Sequence, residues 1–217
     1  MTKHEKLFDG TLGLYPHKKV QIEIDPEAKP VHARPYAVPI VHRDVFRKEL
    51  ENLVKRGVLS RTGESEWASP SFIIPKKDGR VRWISDLRAL NKVIKRKQYP
   101  LPIIQDILKK RSGYAFFTKL DISMQYYTFE LEDASKDLCT INTPFGTYRY
   151  NHLPMGLKCS PDFAQEVMEN IMRPLEDAEV YIDDVGVFSK TWEHYMDLLD
   201  KIMTKFVENR FTVTPMK

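Results

Sequence analysis

The chain has 217 residues and a formal charge of +4, with 42% hydrophobic and 29% charged residues. That is the balance of an ordinary globular protein, long enough for one large domain or two packed subdomains. No apolar run approaches the roughly 20 residues that span a bilayer, and no signal-peptide core opens the chain, so neither membrane insertion nor secretion is expected. Cys139 and Cys159 lack metal-ligand spacing and read as reduced core thiols of an intracellular protein, and the six histidines are scattered.

In chain order, residues 1–20 read as a poorly anchored arm, because Lys3, His4, Glu5 and Lys6 give no apolar pattern. Apolar residues at 45, 46, 50, 53 and 54 predict a helix from His42 to Arg56, capped by Gly57. Ser71 to Ile74 and Arg80 to Ile84 read as strands joined by a Lys76-Lys77-Asp78-Gly79 turn. A proline-punctuated segment, Tyr99-Pro100-Leu101-Pro102, leads into a short helix through Lys110. Strands follow around 115–121, 125–131 and 137–142. Ser160 as N-cap and Pro161 at the first helical position predict a helix to Met172. A hairpin spans 178–188, then a helix runs from Thr191 to Val207, and a last strand covers Arg210 to Thr214. This order suits an antiparallel sheet backed by helices, an α+β plan.

The chemistry concentrates in the hairpin. Tyr181-Ile182-Asp183-Asp184 sits between two short apolar runs, which places both aspartates in a tight turn. Such a turn is also a common setting for Asp for local hydrogen-bonding reasons alone. Adjacent carboxylates repel, however, and a pair of magnesium-type cations would relieve that repulsion while driving phosphoryl transfer. Asp121 ends the apolar run from Ala115 and supplies a third carboxylate in a similar setting.

Eight collinear segments carry a resemblance. They are Trp67-Ala68-Ser69-Pro70-Ser71, Lys76 to Gly79, Asp86 to Asn91, Phe117 to Asp121, Thr143-Pro144-Phe145-Gly146, Leu153-Pro154-Met155-Gly156-Leu157, Ser160-Pro161 and Tyr181 to Asp184. Together they resemble the reverse transcriptase of gypsy-type long-terminal-repeat retrotransposons, and more distantly that of retroviruses. The resemblance implies a right-hand polymerase fold of fingers and palm, with the thumb absent. Residues 21–113 would form the fingers with early palm elements. Residues 114–217 would be mainly palm, with a fingers insertion around 132–155.

The resemblance also implies residue roles. Asp121, Asp183 and Asp184 would be the catalytic carboxylates, with the Ile122 carbonyl as an extra ligand to two Mg²⁺ ions, or Mn²⁺ in their place. Tyr126 would be the steric gate against a sugar 2′-hydroxyl; Tyr127 would point to the other face of an extended segment. Arg82, with Lys76 or Lys77, would clasp the triphosphate. Met155 and Gly156 would contact the incoming nucleotide, and Trp67, Ser69, Pro70, Arg88 and Tyr181 the template and primer. Met155 departs from the family's usual aromatic residue or glutamine, and Asp86-Leu87-Arg88 lacks its usual aromatic ring. Lys217 lies near the family's proton donor to pyrophosphate.

The implied partners are an RNA or DNA template with its primer, deoxynucleoside triphosphates, and the thumb and ribonuclease H segments of a full polyprotein. The implied location is cytoplasmic, in a virus-like particle, with access to the nucleus. Charge patterning agrees: residues 76–111 hold 12 Lys or Arg against 3 Asp or Glu, and residues 112–217 hold 10 against 17. A basic part and a carboxylate-bearing part suit a phosphate backbone plus metal ions. An RNA-directed RNA polymerase would have to admit the 2′-hydroxyl, which Tyr126 opposes. A metal-dependent nuclease leaves the triphosphate cations without a role. A truncated or domesticated fragment that binds nucleic acid without polymerase activity is the remaining alternative.

Overall fold

Chain order and spatial order differ in this molecule. The structure, a computed structural model, describes residues 2–77, 79 and 81–214. It divides into two compact units, and the chain passes between them at residues 18, 96, 128 and 160. One unit collects the stretches up to 18, 97–128 and from 161 onward; the other collects 19–96 and 129–160.

The first unit is organised by a three-stranded antiparallel sheet, because its strands alternate apolar and polar residues around one buried face. Strand β4 (Phe116–Asp121) pairs with β8 (Asp184–Ser189), which pairs in turn with β7 (Ala178–Tyr181). Helix α6 (Trp192–Glu208) packs on β8 through Leu198, Ile202 and Phe206, all buried. It starts where expected, since the Thr191 hydroxyl accepts from the His194 N–H at 3.3 Å. Helix α3 (Ile104–Lys110) and helix α5 (Ser160–Met172) belong to the same unit, apart from Ser160 itself. Ser160 is the first residue of α5 rather than its cap, and its hydroxyl donates to the Pro154 carbonyl at 2.9 Å.

Four expectations for this unit are corrected. The leading residues are not a loose arm: residues Thr2–Phe8 form a 3-10 turn against α6, with Leu7 only 2% exposed. Buried Leu7, a backbone bond from Val213 N–H to the Leu7 carbonyl, and a 2.7 Å hydrogen bond between His4 Nε2 and Asp200 Oδ1 anchor a segment with no visible periodicity. Residues Gln125–Thr128 form a 3-10 turn instead of opening a strand. Met124, at φ +50, turns the chain sharply after β4, so β-favouring Tyr126, Tyr127 and Thr128 never extend. The expected last strand shrinks to one bridge, Ile122 to Val213. Finally, only Asp183 lies in the hairpin turn; Asp184 is the first residue of β8, paired with Tyr181.

The second unit is built on a five-stranded mixed sheet in the order β1-β6-β5-β2-β3, in which β2 and β5 run parallel. Its strands are β1 (Leu59–Arg61), β2 (Ser69–Pro75), β3 (Val81–Ser85), β5 (Thr140–Thr143) and β6 (Gly146–Tyr150). Neither β1 nor β6 was anticipated. Helix α1 (Ile40–Lys55) ends as predicted at Gly57. With Gly57 at φ +78, its N–H reaches the Val54 carbonyl and the Val58 N–H reaches that of Leu53, a Schellman closure. The strand expected at 137–142 is in part a helix, α4 (Asp133–Leu138), because Asp133 opens its first turn and Lys136 pairs with it at 2.8 Å. Helix α2 (Arg88–Val93) follows β3. The core centres on Phe46, Trp83 and Tyr150, with Trp83 Nε1 donating to the Tyr150 hydroxyl at 3.0 Å.

The sequence halves of opposite charge do not survive as spatial units. The aspartate-bearing unit holds 14 Lys or Arg against 16 Asp or Glu, and the other unit 20 against 14. The asymmetry keeps its sign and loses half its size, in large part because residues 97–111 fold with the carboxylates. Among the described residues, no helix is long and apolar enough to cross a membrane.

Candidate active site

Strand register brings the three aspartates to one end of the three-stranded sheet. Asp121 and Asp184 are direct cross-strand partners at the ends of β4 and β8, and Asp183 lies in the adjoining turn. The backbone around them is closely tied. The Ile122 N–H donates to the Asp183 carbonyl at 3.0 Å, and the Thr214 N–H to the Asp121 carbonyl at 2.8 Å. The two-residue turn has positive φ at its first central residue only, Ile182 at +56. That position ordinarily takes glycine. A β-branched residue there costs about 1–3 kcal/mol, a strain of the kind that collects at functional sites.

The site carries uncompensated negative charge. Burial pushes the Asp121 carboxyl above its usual range, and the charges of Asp183 and then Asp184 add to the rise, against a lowering pull from Lys119. Lys119, two residues earlier on β4, places Nζ 3.1 Å from Asp184 Oδ2, and that bond raises its own pKa. Tyr126 stands near Asp183: burial, with a contribution from that charge, pushes its phenol up to about 12. Tyr127, its neighbour, is buried in the core. The structure thus brings together Asp121, Ile122, Tyr126, Tyr181, Asp183 and Asp184. It also adds Lys119, which sequence reasoning passed over although a lysine two residues before Asp121 shares its strand face.

Three carboxylates and a nearby backbone carbonyl are hard oxygen donors of the kind that Mg²⁺ takes, and the raised Asp121 marks a place where a cation would relieve repulsion. Among the described residues, no three His, Cys, Asp or Glu side chains are already arranged as a metal cage. With Lys119 on Asp184, a lysine supplies part of the positive charge there.

The remaining assigned residues belong to the other unit. Arg82 lies on β3 opposite Ile74, and both side chains are exposed on the ribbon face that also carries Phe72 and Ile84. Lys76 and Lys77 are exposed at the hairpin tip, where the Gly79 N–H donates to the Lys76 carbonyl at 3.2 Å; Asp78 and Arg80 lie outside the described residues, as does Lys217. A groove of about 910 Å³ borders this hairpin, lined by Tyr36, Phe72, Ile84, Asp86, Arg88 and Gly156 among others.

One wall of the groove is an ion pair. Arg88 donates through Nε and Nη2 to the two Asp86 oxygens at 2.8 and 2.6 Å, and the Tyr36 hydroxyl donates to Asp86 at 2.7 Å. The Arg88 bonds hold the Asp86 carboxyl well below the usual carboxylate range. The 153–157 loop is fixed by Asn91, whose Nδ2 donates to the Gly156 carbonyl at 2.7 Å while Oδ1 accepts from the Lys158 N–H at 2.8 Å. Gly156 has φ +97, and Met155 beside it is exposed. Trp67, Ser69 and Pro70, assigned to template and primer by resemblance, are buried within the unit.

Comparison with known proteins identifies the family and the fold. The family model for "Reverse transcriptase (RNA-dependent DNA polymerase)" matches residues 74–217. The Retrovirus-related Pol polyprotein from transposon 297 of Drosophila melanogaster is 27% identical over 186 residues, covering 82% of this chain and 18% of the polyprotein. The Transposon Tf2-3 polyprotein of Schizosaccharomyces pombe is 28% identical over 207 residues, covering 93% of this chain and 15% of the polyprotein. Among solved structures, foamy viral protease-reverse transcriptase in complex with an RNA/DNA hybrid superposes with a TM-score of 0.89 at 19% identity, over 98% of this chain and 29% of that one. The chain therefore belongs to the reverse transcriptase family, with the α+β fingers-and-palm fold of a right-hand polymerase. It spans under a third of the length of each of these relatives.

Proposed function

We propose that this chain is the RNA-directed DNA polymerase core of a long-terminal-repeat retrotransposon, joining a deoxynucleoside triphosphate to a primer 3′-hydroxyl on an RNA or DNA template. The observation that carries the reading is the register pairing of Asp121 with Asp184 beside the Asp183 turn, with the Asp121 carboxyl raised by burial and by the charges of Asp183 and Asp184. Asp121, Asp183, Asp184 and the Ile122 carbonyl would hold two divalent cations of the magnesium type, which when bound activate the primer hydroxyl and neutralise the leaving pyrophosphate.

The chain's own residues do the rest. Arg82 and one of Lys76 and Lys77 bind the triphosphate, as charged donors suited to several phosphate oxygens. Tyr126, close enough to Asp183 to feel its charge, limits the room at the sugar 2′ position. The Asn91-anchored loop presents Met155 to the nucleotide, and the groove beside Arg88 takes template. Lys119, whose Nζ lies 3.1 Å from Asp184 Oδ2, would yield that carboxylate to a bound divalent cation. The location proposed for the parent polyprotein is a cytoplasmic particle.

Primer extension on an oligo(dT)–poly(rA) duplex with Mg²⁺ tests this, comparing the native chain with an Asp183→Asn, Asp184→Asn double variant. Extension by the native chain alone is the expected result. A folded native chain that binds the duplex without extending it would leave nucleic-acid binding as the function.

A further inference from the structure

Away from the carboxylates, two buried polar side chains of the aspartate-bearing unit converge on one residue. Gln165, on α5 and fully buried, accepts the Ile182 N–H at 2.7 Å; its Nε2 donates to the Val180 carbonyl at 2.9 Å and to Glu169 at 2.7 Å. Gln125, 3% exposed, donates from Nε2 to the Ile182 carbonyl at 3.1 Å. Ile182 is therefore gripped at both of its peptide groups by side chains from two different elements. The next carbonyl, that of Asp183, is tied to Ile122.

Ile182 is also where the backbone is least willing to stay. At φ +56 a β-branched side chain crowds its own carbonyl, and rotation of the flanking peptides would relieve that crowding. Rotation of the peptide between residues 182 and 183 would redirect the Asp183 side chain. The second half of Gln125 gives a separate clue: its Oε1 is buried and has no partner among the described residues. A buried amide oxygen without a donor is costly, and an apolar side chain of similar length would avoid that cost. What Gln125 gives in return is one bond, aimed at the strained residue.

We propose that Gln125 and Gln165 are positioning residues that hold Ile182 in its left-handed conformation and so fix the direction of Asp183. The kinetic consequence rests on the polymerase reading above; the clamp itself does not.

The test uses Gln125→Met and Gln165→Met, each alone and combined with Ile182→Gly, beside the native chain and Asp183→Asn. Two readouts are taken, primer extension and exchange of the residue 182 amide by NMR. For Gln125→Met the expected result is a melting midpoint no lower than native, a kcat down about tenfold or more, the loss of one hydrogen bond's worth of control, and a nucleotide KM changed little. Ile182→Gly in the same chain recovers most of that loss, because glycine adopts the left-handed conformation without penalty. In Gln165→Met the residue 182 amide exchanges about tenfold faster. An unchanged kcat in Gln125→Met, or a loss that Ile182→Gly leaves in place, overturns the proposal. If the native chain extends no primer, the polymerase reading fails and amide exchange alone decides the clamp: faster exchange in both glutamine variants upholds it, and native exchange rates refute it.

Discussion

The β7–β8 hairpin reverses in two residues, Ile182 and Asp183, whereas the β2–β3 hairpin uses the five residues 76–80. In the first, the turn is bound from three sides, by Gln165, Gln125 and Ile122. In the second, Lys76, Lys77 and Gly79 are exposed, and the Gly79 N–H donates to the Lys76 carbonyl. The difference follows the chemistry proposed for each. Carboxylates that share cations must be held to within a fraction of an ångström, so their hairpin accepts strain at Ile182. Cations that meet a diffusing triphosphate gain from reach, and long side chains on an open tip supply it.

The largest expected effect lies at the rigid hairpin's partner strand. Asp121→Asn should cut extension on the order of 10³-fold, as loss of a preorganised charged group does. Because its charge is disfavoured by burial and repelled by Asp183 and Asp184, the same change should leave stability unchanged or raise it by under about 1 kcal/mol after solvent screening, measured by thermal melting. Loss of both activity and stability would mean that Asp121 is structural.

At the open hairpin the expected effect is smaller and of a different kind. Arg82→Ala should raise the nucleotide KM by about 10- to 100-fold, the value of one or two charged hydrogen bonds, with kcat less affected. A kcat collapse at constant KM would place Arg82 with the rigid site instead. Tyr126→Val should lower discrimination against ribonucleotides by about 10- to 100-fold in paired extension assays. Unchanged sugar preference would assign the gate to another side chain.

The smallest effect concerns the root of the open hairpin. Asp86, next after β3, has its carboxyl held below its unfolded value by Arg88 and Tyr36. The unfolded chain therefore binds more protons than the folded one in acid, and Asp86 contributes stability that is present above about pH 4 and lost as pH falls below it. Asp86→Asn should flatten that acid limb in denaturation curves recorded between about pH 2 and 5. An unchanged limb would show that other carboxylates govern it.

Much of this was legible from residue patterns. The helices α1, α5 and α6, strand β4 and the β2–β3 and β7–β8 hairpins follow from apolar periodicity and from turn residues such as Gly57. What was not legible depends on contacts distant in sequence. The pairing of β1 with β6 joins residues near 60 to residues near 149, and no local pattern announces it. Gln125–Thr128 read as a strand because Tyr, Tyr and Thr favour one, yet a left-handed Met124 turned the segment. In the site, the aspartates were visible as an unusual local cluster. The glutamines that brace them were not, since Gln165 lies 17 residues from Ile182 and Gln125 lies 57 away. A lone glutamine just before the run Tyr126-Tyr127-Thr128-Phe129 was the available sign. The partition of charge also changed on folding, because residues 97–111 join the unit that carries the carboxylates.

The central claim is that Asp121, Asp183 and Asp184 form one cation-binding centre. The direct measurement is a crystal of the chain with primer–template, a deoxynucleotide and Mn²⁺, examined by anomalous scattering at the manganese edge. The account predicts anomalous density bounded by those three carboxylates, with Lys119 withdrawn from Asp184, and none in an Asp183→Asn, Asp184→Asn crystal. Manganese bound elsewhere, or Lys119 still seated on Asp184 in a complex poised to react, would contradict it.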